Sequence, residues 1–243
     1  MHVFLGIRAF IFYAGFTLSV IFISLTGIVL LSYTSYRLRS KYMVQWNRFI
    51  MFWLRVTCGV KVDIIGRENL PEEAFVALSK HQSQWETYFL QYFLWPVSIV
   101  LKRELLKMPF FGWGLKLTDP IAIDRGSPKL ALKQTLQQGK DRLLKGVSVL
   151  IFPEGTRTEP GTKSKYARGG ANIAIAAGAP IVPIALNAGE FWPADKYLKF
   201  PGTITVKIGK PIATNEGSDS RVITEQAQQW IEEEVEKMSK RLV

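Results

Sequence analysis

The chain is poor in the residues from which several common sites are built. Its 243 residues include one cysteine, Cys58, and two histidines, His2 and His81. A single cysteine excludes an internal disulfide, in keeping with a cytoplasmic domain. Its neighbours Trp53, Leu54 and Val56 mark it as a small buried apolar side chain and not a nucleophile. One thiol and two imidazoles cannot assemble a closed zinc-ligand set, so no metal is expected. Acidic residues are also scarce, 20 Asp and Glu against 31 Lys and Arg, for a formal net charge of +11. That balance suits anionic partners: phospholipid surfaces, acidic carrier proteins, phosphorylated substrates or nucleic acid. No internal repeat, low-complexity tract or interdomain linker interrupts the chain. This length predicts one large domain of ordinary α/β size with a small appendage.

What the chain has in plenty is apolar length at its start. Residues 9–31 contain no charged side chain, enough as a helix to cross about 30 Å of hydrocarbon. The run is longer than the ~7–15 apolar residues of a signal peptide, and no small-x-small cleavage site precedes Arg37. Arg37, Arg39 and Lys41 follow, then a second segment, 43–58. There Lys41, Gln45, Arg48 and Arg55 share one helix face, while Trp46, Phe49, Phe52 and Trp53 suit either a bilayer interface or packing on a soluble domain. Only Arg8 precedes the first segment among the arginines and lysines, so the positive-inside bias predicts a cytoplasmic C-terminal domain, whether the first helix crosses the membrane or only dips into it. The charge is spread out, and the membrane segment explains it better than nucleic acid does. Residues 1–58 are therefore read as a two-helix membrane-docking element and 59–243 as the catalytic domain.

From Gly59 onward, short β-branched runs at 62–65, 75–78, 97–101, 121–123, 147–152, 181–186 and 203–208 alternate with helical stretches at 86–93, 127–144 and 170–177. This predicts an α/β fold, a roughly seven-stranded, mostly parallel or mixed sheet covered by helices. A terminal amphipathic helix is expected over 219–242. Ile223, Ala227, Trp230, Ile231, Val235 and Met238 form its apolar stripe; Glu232, Glu233, Glu234 and Lys237 read as its wet face, without catalytic meaning.

The candidate chemistry sits where these strands end. His81 follows the 75–78 strand, and Glu86 opens the next helix. Ligands of open α/β sheets gather at such junctions, and a carboxylate can fix an imidazole's tautomer and stabilise the imidazolium that forms. Ser83-x-x-Glu86 equally matches a capping box, in which Ser and Glu serve only the helix start. Pro153-Glu154-Gly155-Thr156-Arg157 follows the 147–152 strand; Gly lets the backbone approach a ligand and the Arg fork suits two phosphate oxygens. Taken alone this is also an ordinary turn. Arg125 and Lys102 add cationic positions at two further strand ends.

Together these residues resemble the glycerolipid acyltransferase family. His81, four residues and an acid match its first motif; Ile123-Asp124-Arg125 matches the end of its second; Phe152 to Arg157 match its third in full; and Pro183 in the 181–186 strand matches its fourth. The sequence departs in having Glu86 for the usual Asp, and Asp119 and Ala122 where the second motif carries Gly and an aromatic. The resemblance implies transfer of a fatty acyl group from acyl carrier protein or coenzyme A to the sn-2 hydroxyl of lysophosphatidic acid, with His81 as base and Glu86 as its partner. It implies no cofactor beyond that acyl-donor thioester. Arg125, Glu154, Gly155, Thr156 and Arg157 would line the acceptor site, with Arg157 the phosphate clamp and Lys102 a second cation. Other lyso-lipids, such as lyso-ornithine lipid or lysophosphatidylethanolamine, stay open as acceptors, and a thioesterase or a non-catalytic membrane adaptor are the remaining readings.

Overall fold

The computed structural model describes residues 2–124, 126 and 128–239, and within them the β-branched runs pair as one sheet. Its strands are β1 (Val60–Ile65), β2 (Val76–Ser79), β3 (Val97–Lys102), β4 (Ile121–Ile123), β5 (Ser148–Ile151), β6 (Ile181–Leu186) and β7 (Gly202–Ile208). Their order in space is β1-β7-β6-β2-β5-β3-β4. β6, β2, β5, β3 and β4 run parallel; β7 pairs antiparallel with β6, and β1 parallel with β7. The mixed seven-stranded sheet expected from the sequence is present.

Parallel pairing requires cover on both faces, and β2, β5 and β6 are buried at every position. Successive strand residues point to opposite faces. Accordingly Ala77, Leu150, Val182 and Ile184 join one hydrophobic cluster, while Val76, Leu78, Val149 and Ile151 join the other. The first cluster is closed by α1 (His2–Leu31), α2 (Tyr36–Cys58) and α3 (Trp85–Phe93), the second chiefly by α6 (Gly169–Ala177) and α7 (Ser220–Met238), with α5 (Pro128–Leu144) at its margin.

The N-terminal pair is thus built into the catalytic domain's core. Phe12, Ile50 and Leu54 are no more than 1% exposed and pack in one cluster with Trp85 and Leu150. Of the two settings open to the aromatic face, Trp46 takes packing on the domain: it turns inward against Phe16 and Tyr88 and donates to Ser19 Oγ at 3.0 Å; α2 lies against both α1 and α3, which narrows its free face. Phe49 and Phe52 stay exposed. Ile50→Ala is expected to destabilise the whole domain by about 2–5 kcal/mol, read as a lower unfolding midpoint in detergent. An unchanged midpoint would mean that α2 is not part of the cooperative core.

One helix was not legible in advance. α4 (Phe111–Leu117) has glycines at 112 and 114, which lower helix propensity. Both are needed for close approach: a Cβ at Gly114 would stand 2.6 Å from Ser24 Oγ of α1, and one at Gly112 would meet the backbone of Leu105 and Leu106. The C-terminal helix, expected over 219–242, spans Ser220–Met238 and ends at an extended Ser239; residues 240–243 lie outside the described residues. Its stripe of Ile223, Ala227, Ile231, Val235 and Met238 is buried. Glu232 departs from the expected wet face and is buried beside that stripe.

Candidate active site

Parallel neighbours end on the same side of a sheet, so the C-terminal ends of β2, β5, β3 and β4 form one rim. His81 follows β2, the Pro153 to Arg157 turn follows β5, Lys102 ends β3 and Asp124 follows β4. Arg125 lies outside the described residues. Three motifs scattered over the sequence, with Lys102, are brought to one edge by the strand order.

His81 is held at every side but one. Its backbone N–H donates to Glu154 Oε2 at 2.8 Å, and its carbonyl accepts from Thr158 N at 2.8 Å and Thr158 Oγ1 at 3.2 Å. The ring lies on Phe152, centroids 4.2 Å apart and 17° from parallel. Nδ1 is 2.9 Å from Glu86 Oε1. That oxygen also takes the backbone N–H of Gln82 at 2.7 Å and of Ser83 at 2.6 Å. Three groups converge on one carboxylate oxygen, so the imidazole is a donor there: in its neutral form Nδ1 carries the proton, which leaves the unshared pair on Nε2. The imidazole side chain is 16% exposed and the Glu86 side chain 0%.

The same Glu86 carboxylate makes the contacts that the capping reading and the acid–base reading each require. Ser83 Oγ accepts from Trp85 N at 3.1 Å as α3 begins, and Glu86 reaches back to the Ser83 N–H as a capping box does. Glu86→Gln keeps an acceptor oxygen for these backbone donors but removes the charge facing the imidazole. It is expected to lower kcat about tenfold, the worth of one charge-assisted hydrogen bond, with an unfolding midpoint near that of the parent. Wild-type kcat in this variant would leave only the cap.

The turn after β5 divides in two. Glu154 points inward with its side chain 0% exposed, 2.7 Å from Lys80 Nζ and bonded to the His81 N–H. Burial pushes its carboxyl up, and the Lys80 charge pulls it back. Gly155, Thr156 and Arg157 form the exposed tip. Gly155 has φ 71°, a left-handed conformation that favours glycine. Arg157 Nη1 is 3.4 Å from the Ala194 carbonyl, a long contact that leaves the guanidinium facing solvent. Lys102 is exposed, and Arg103 beside it pairs with Asp124 at 3.2 Å. Asp119, where the second motif usually has Gly, sits at φ 50°. Asp tolerates that region better than most residues, and its carboxylate is tied to Arg142 at 2.7 Å. The departure is absorbed by the backbone entering β4.

Sequence reading passed over Lys80, Gln82, Thr158, Tyr166 and Glu232. Gln82 Oε1 accepts from Gly189 N at 3.3 Å, joining the histidine loop to the segment after β6. A lysine at the end of a wholly buried strand was the available signal, since a buried ammonium requires partners.

This parallel-rimmed sheet carries a carboxylate-oriented imidazole and an exposed arginine turn at one edge, and the chain belongs to the Acyltransferase family, which it matches over residues 61–187. It is an acyltransferase. Over 208 residues, 84% of this chain and 80% of the relative, it is 51% identical to the 1-acyl-sn-glycerol-3-phosphate acyltransferase of Pseudomonas aeruginosa. It is 36% identical over 65% of its length to a Chlamydomonas reinhardtii protein of the same name, 49% of which is covered. The fold matches the crystal structure of the 1-acyl-sn-glycerophosphate acyltransferase PlsC from Thermotoga maritima with a TM-score of 0.75 at 22% identity, covering 96% of this chain and 95% of that one.

Proposed function

We propose that the chain moves a fatty acyl group from the thioester of acyl carrier protein or coenzyme A to the sn-2 hydroxyl of lysophosphatidic acid, giving phosphatidic acid at the cytoplasmic face of an inner membrane. The observation that carries this reading is the His81–Glu86 pair, joined through Nδ1 at 2.9 Å, on the same rim as the exposed Arg157. The name of the Pseudomonas relative supports the acceptor.

His81 Nε2 takes the proton of the sn-2 hydroxyl as its oxygen attacks the thioester carbonyl. The C–O bond forms, the C–S bond breaks, and the sulfur leaves with the proton returned by the imidazolium. No covalent acyl-enzyme is needed. General-base assistance of this kind contributes about 10²–10⁴-fold, and Glu86 stabilises the imidazolium without leaving its buried site. Arg157 offers its fork to the acceptor phosphate, with Lys102 and Arg125 as further cations. Glu154 acts from beneath, holding the histidine loop.

Docking is assigned to α1, the one helix among the described residues long and apolar enough to cross a membrane. Phe10 and Phe22 stand out from it, 67% and 66% exposed, and Phe49 and Phe52 of α2 are exposed as well. Arg37, Arg39 and Lys41 follow α1, each worth about 1 kcal/mol against an anionic leaflet. The test is to incubate detergent-solubilised protein with a panel of lyso-lipids and both donor types and to identify the products by mass. Acylation of lyso-ornithine lipid or lysophosphatidylethanolamine without lysophosphatidic acid would overturn the acceptor assignment.

A further inference from the structure

Next to the histidine lies an ionic cluster that the acid–base pair does not use. Lys80 is wholly buried. Its ammonium is 2.7 Å from Glu154 Oε1, 2.8 Å from Glu232 Oε1 and 3.2 Å from the Thr162 carbonyl, so all three of its donors are engaged. Glu232 Oε1 also accepts from Tyr166 OH at 2.9 Å, and burial together with the charges of Glu154 and Glu232 holds that phenol above its ordinary range. Two carboxylates therefore share one ammonium in the interior, and the one from α7 is 152 residues from Lys80 in the sequence.

Such a cluster is a poor device for stability. Withdrawing three charges from water costs more than an apolar cluster of the same volume, and breaking one partner leaves an uncompensated buried charge. Its placement gives it a different use. The oxygen of Glu154 that Lys80 does not hold accepts the backbone N–H of His81, and Lys80 is itself the preceding residue. Orientation of the Glu154 carboxylate thus sets the peptide plane from which the imidazole hangs. Lys80 sets that carboxylate, and Glu232, on α7, sets Lys80 from the other side. The second wall is tied in as well: Gln228, one turn before Glu232, bonds Tyr166 N and the Ser164 carbonyl, and Ala167 N donates to Pro153 O.

We propose that Lys80 and Glu232 are positioning residues for His81, fixing its backbone through the Glu154 carboxylate and making the C-terminal helix part of the active-site support. The inference rests on the reading of His81 as the general base. It adds that a residue on α7, far from the reacting atoms in sequence and without contact to them, governs the rate. A histidine displaced by a fraction of an ångström loses alignment with the hydroxyl, whereas substrate binding at the rim is untouched.

The test uses the full chain in detergent with ¹⁵N-labelled histidine. Only His2 and His81 contribute signals, and His81→Ala assigns them. Glu232→Gln keeps the shape and removes the charge. It is expected to shift the His81 Nδ1 resonance and to lower kcat about tenfold, with KM for lysophosphatidic acid and for the acyl donor within about twofold of the parent. Glu233→Gln, at the next and exposed position, is expected to do neither. Should Glu232→Gln not fold, Tyr166→Phe removes one hydrogen bond to Glu232 without changing charge, and it is expected to move both readouts in the same direction, with kcat falling about threefold. An unmoved His81 resonance overturns the proposal, whatever happens to kcat or to the melting temperature. So does an equal effect of Glu233→Gln, or a loss confined to KM. Because the resonance is read without substrate, failure of the acceptor assignment is distinguishable: it would show as absent transfer by the parent protein with the histidine signal still responding to Glu232→Gln.

Discussion

His81→Ala is expected to lower kcat for acyl transfer by at least ~10²-fold, the lower bound for a general base, with the fold and detergent behaviour of the parent. The separation of effects follows from which atoms do which work. Bonds from His81 to Glu154 and Thr158 run through its backbone N–H and carbonyl, and alanine retains them. The side chain contributes the Nδ1 bond to Glu86 and the stack on Phe152, and Glu86 keeps its two backbone donors without it. Steady-state kinetics beside a thermal melt measures both. Retention of more than about a tenth of the parent kcat would remove His81 from the mechanism. Free fatty acid is to be assayed in the same reactions, because a thioesterase using the same base on water would lose that product instead.

Much of this architecture was legible because apolar strands and motif residues obey short-range rules. β4 and β6 fall where the β-branched runs predicted, and the four strand ends meet because parallel order leaves them no other arrangement. The histidine–acid spacing was readable for the same reason: five positions across a loop and the first turn of α3 bring Glu86 back to Nδ1. What escaped was whatever depends on a distant partner. Glu232 lies beside Glu233 and Glu234 and looks like a solvated run until α7 is docked and Lys80 is found opposite it. Trp46 suits an interface as well as a core until α1 and α3 close around it. The glycines of α4 argue against a helix until Ser24 of α1 is seen against Gly114 and the Leu105–Leu106 backbone against Gly112. In each case tertiary packing overrode a local preference that was correctly read.

Arg157→Ala is expected to lower kcat/KM for lysophosphatidic acid roughly ten- to a hundredfold, with a much smaller effect on a monoacylglycerol lacking the phosphate. The magnitude is that of one charge-assisted contact, ~1.5–3 kcal/mol. Its location in KM or kcat depends on whether the phosphate is held equally in ground and transition states. Arg157→Lys should lie between the two, since an ammonium supplies the charge without the planar fork that matches two phosphate oxygens. Structural damage is not expected to confuse the result. Arg157 is exposed, and its bond to the Ala194 carbonyl is long at 3.4 Å; the buried end of the same turn is secured by Glu154 on Lys80 and by Ala167 N on the Pro153 carbonyl. The comparison of acceptors is therefore a measurement of headgroup recognition. Equal losses on the phosphorylated and unphosphorylated acceptor would make Arg157 a brace for the 191–200 loop and would transfer the phosphate to Lys102 or Arg125.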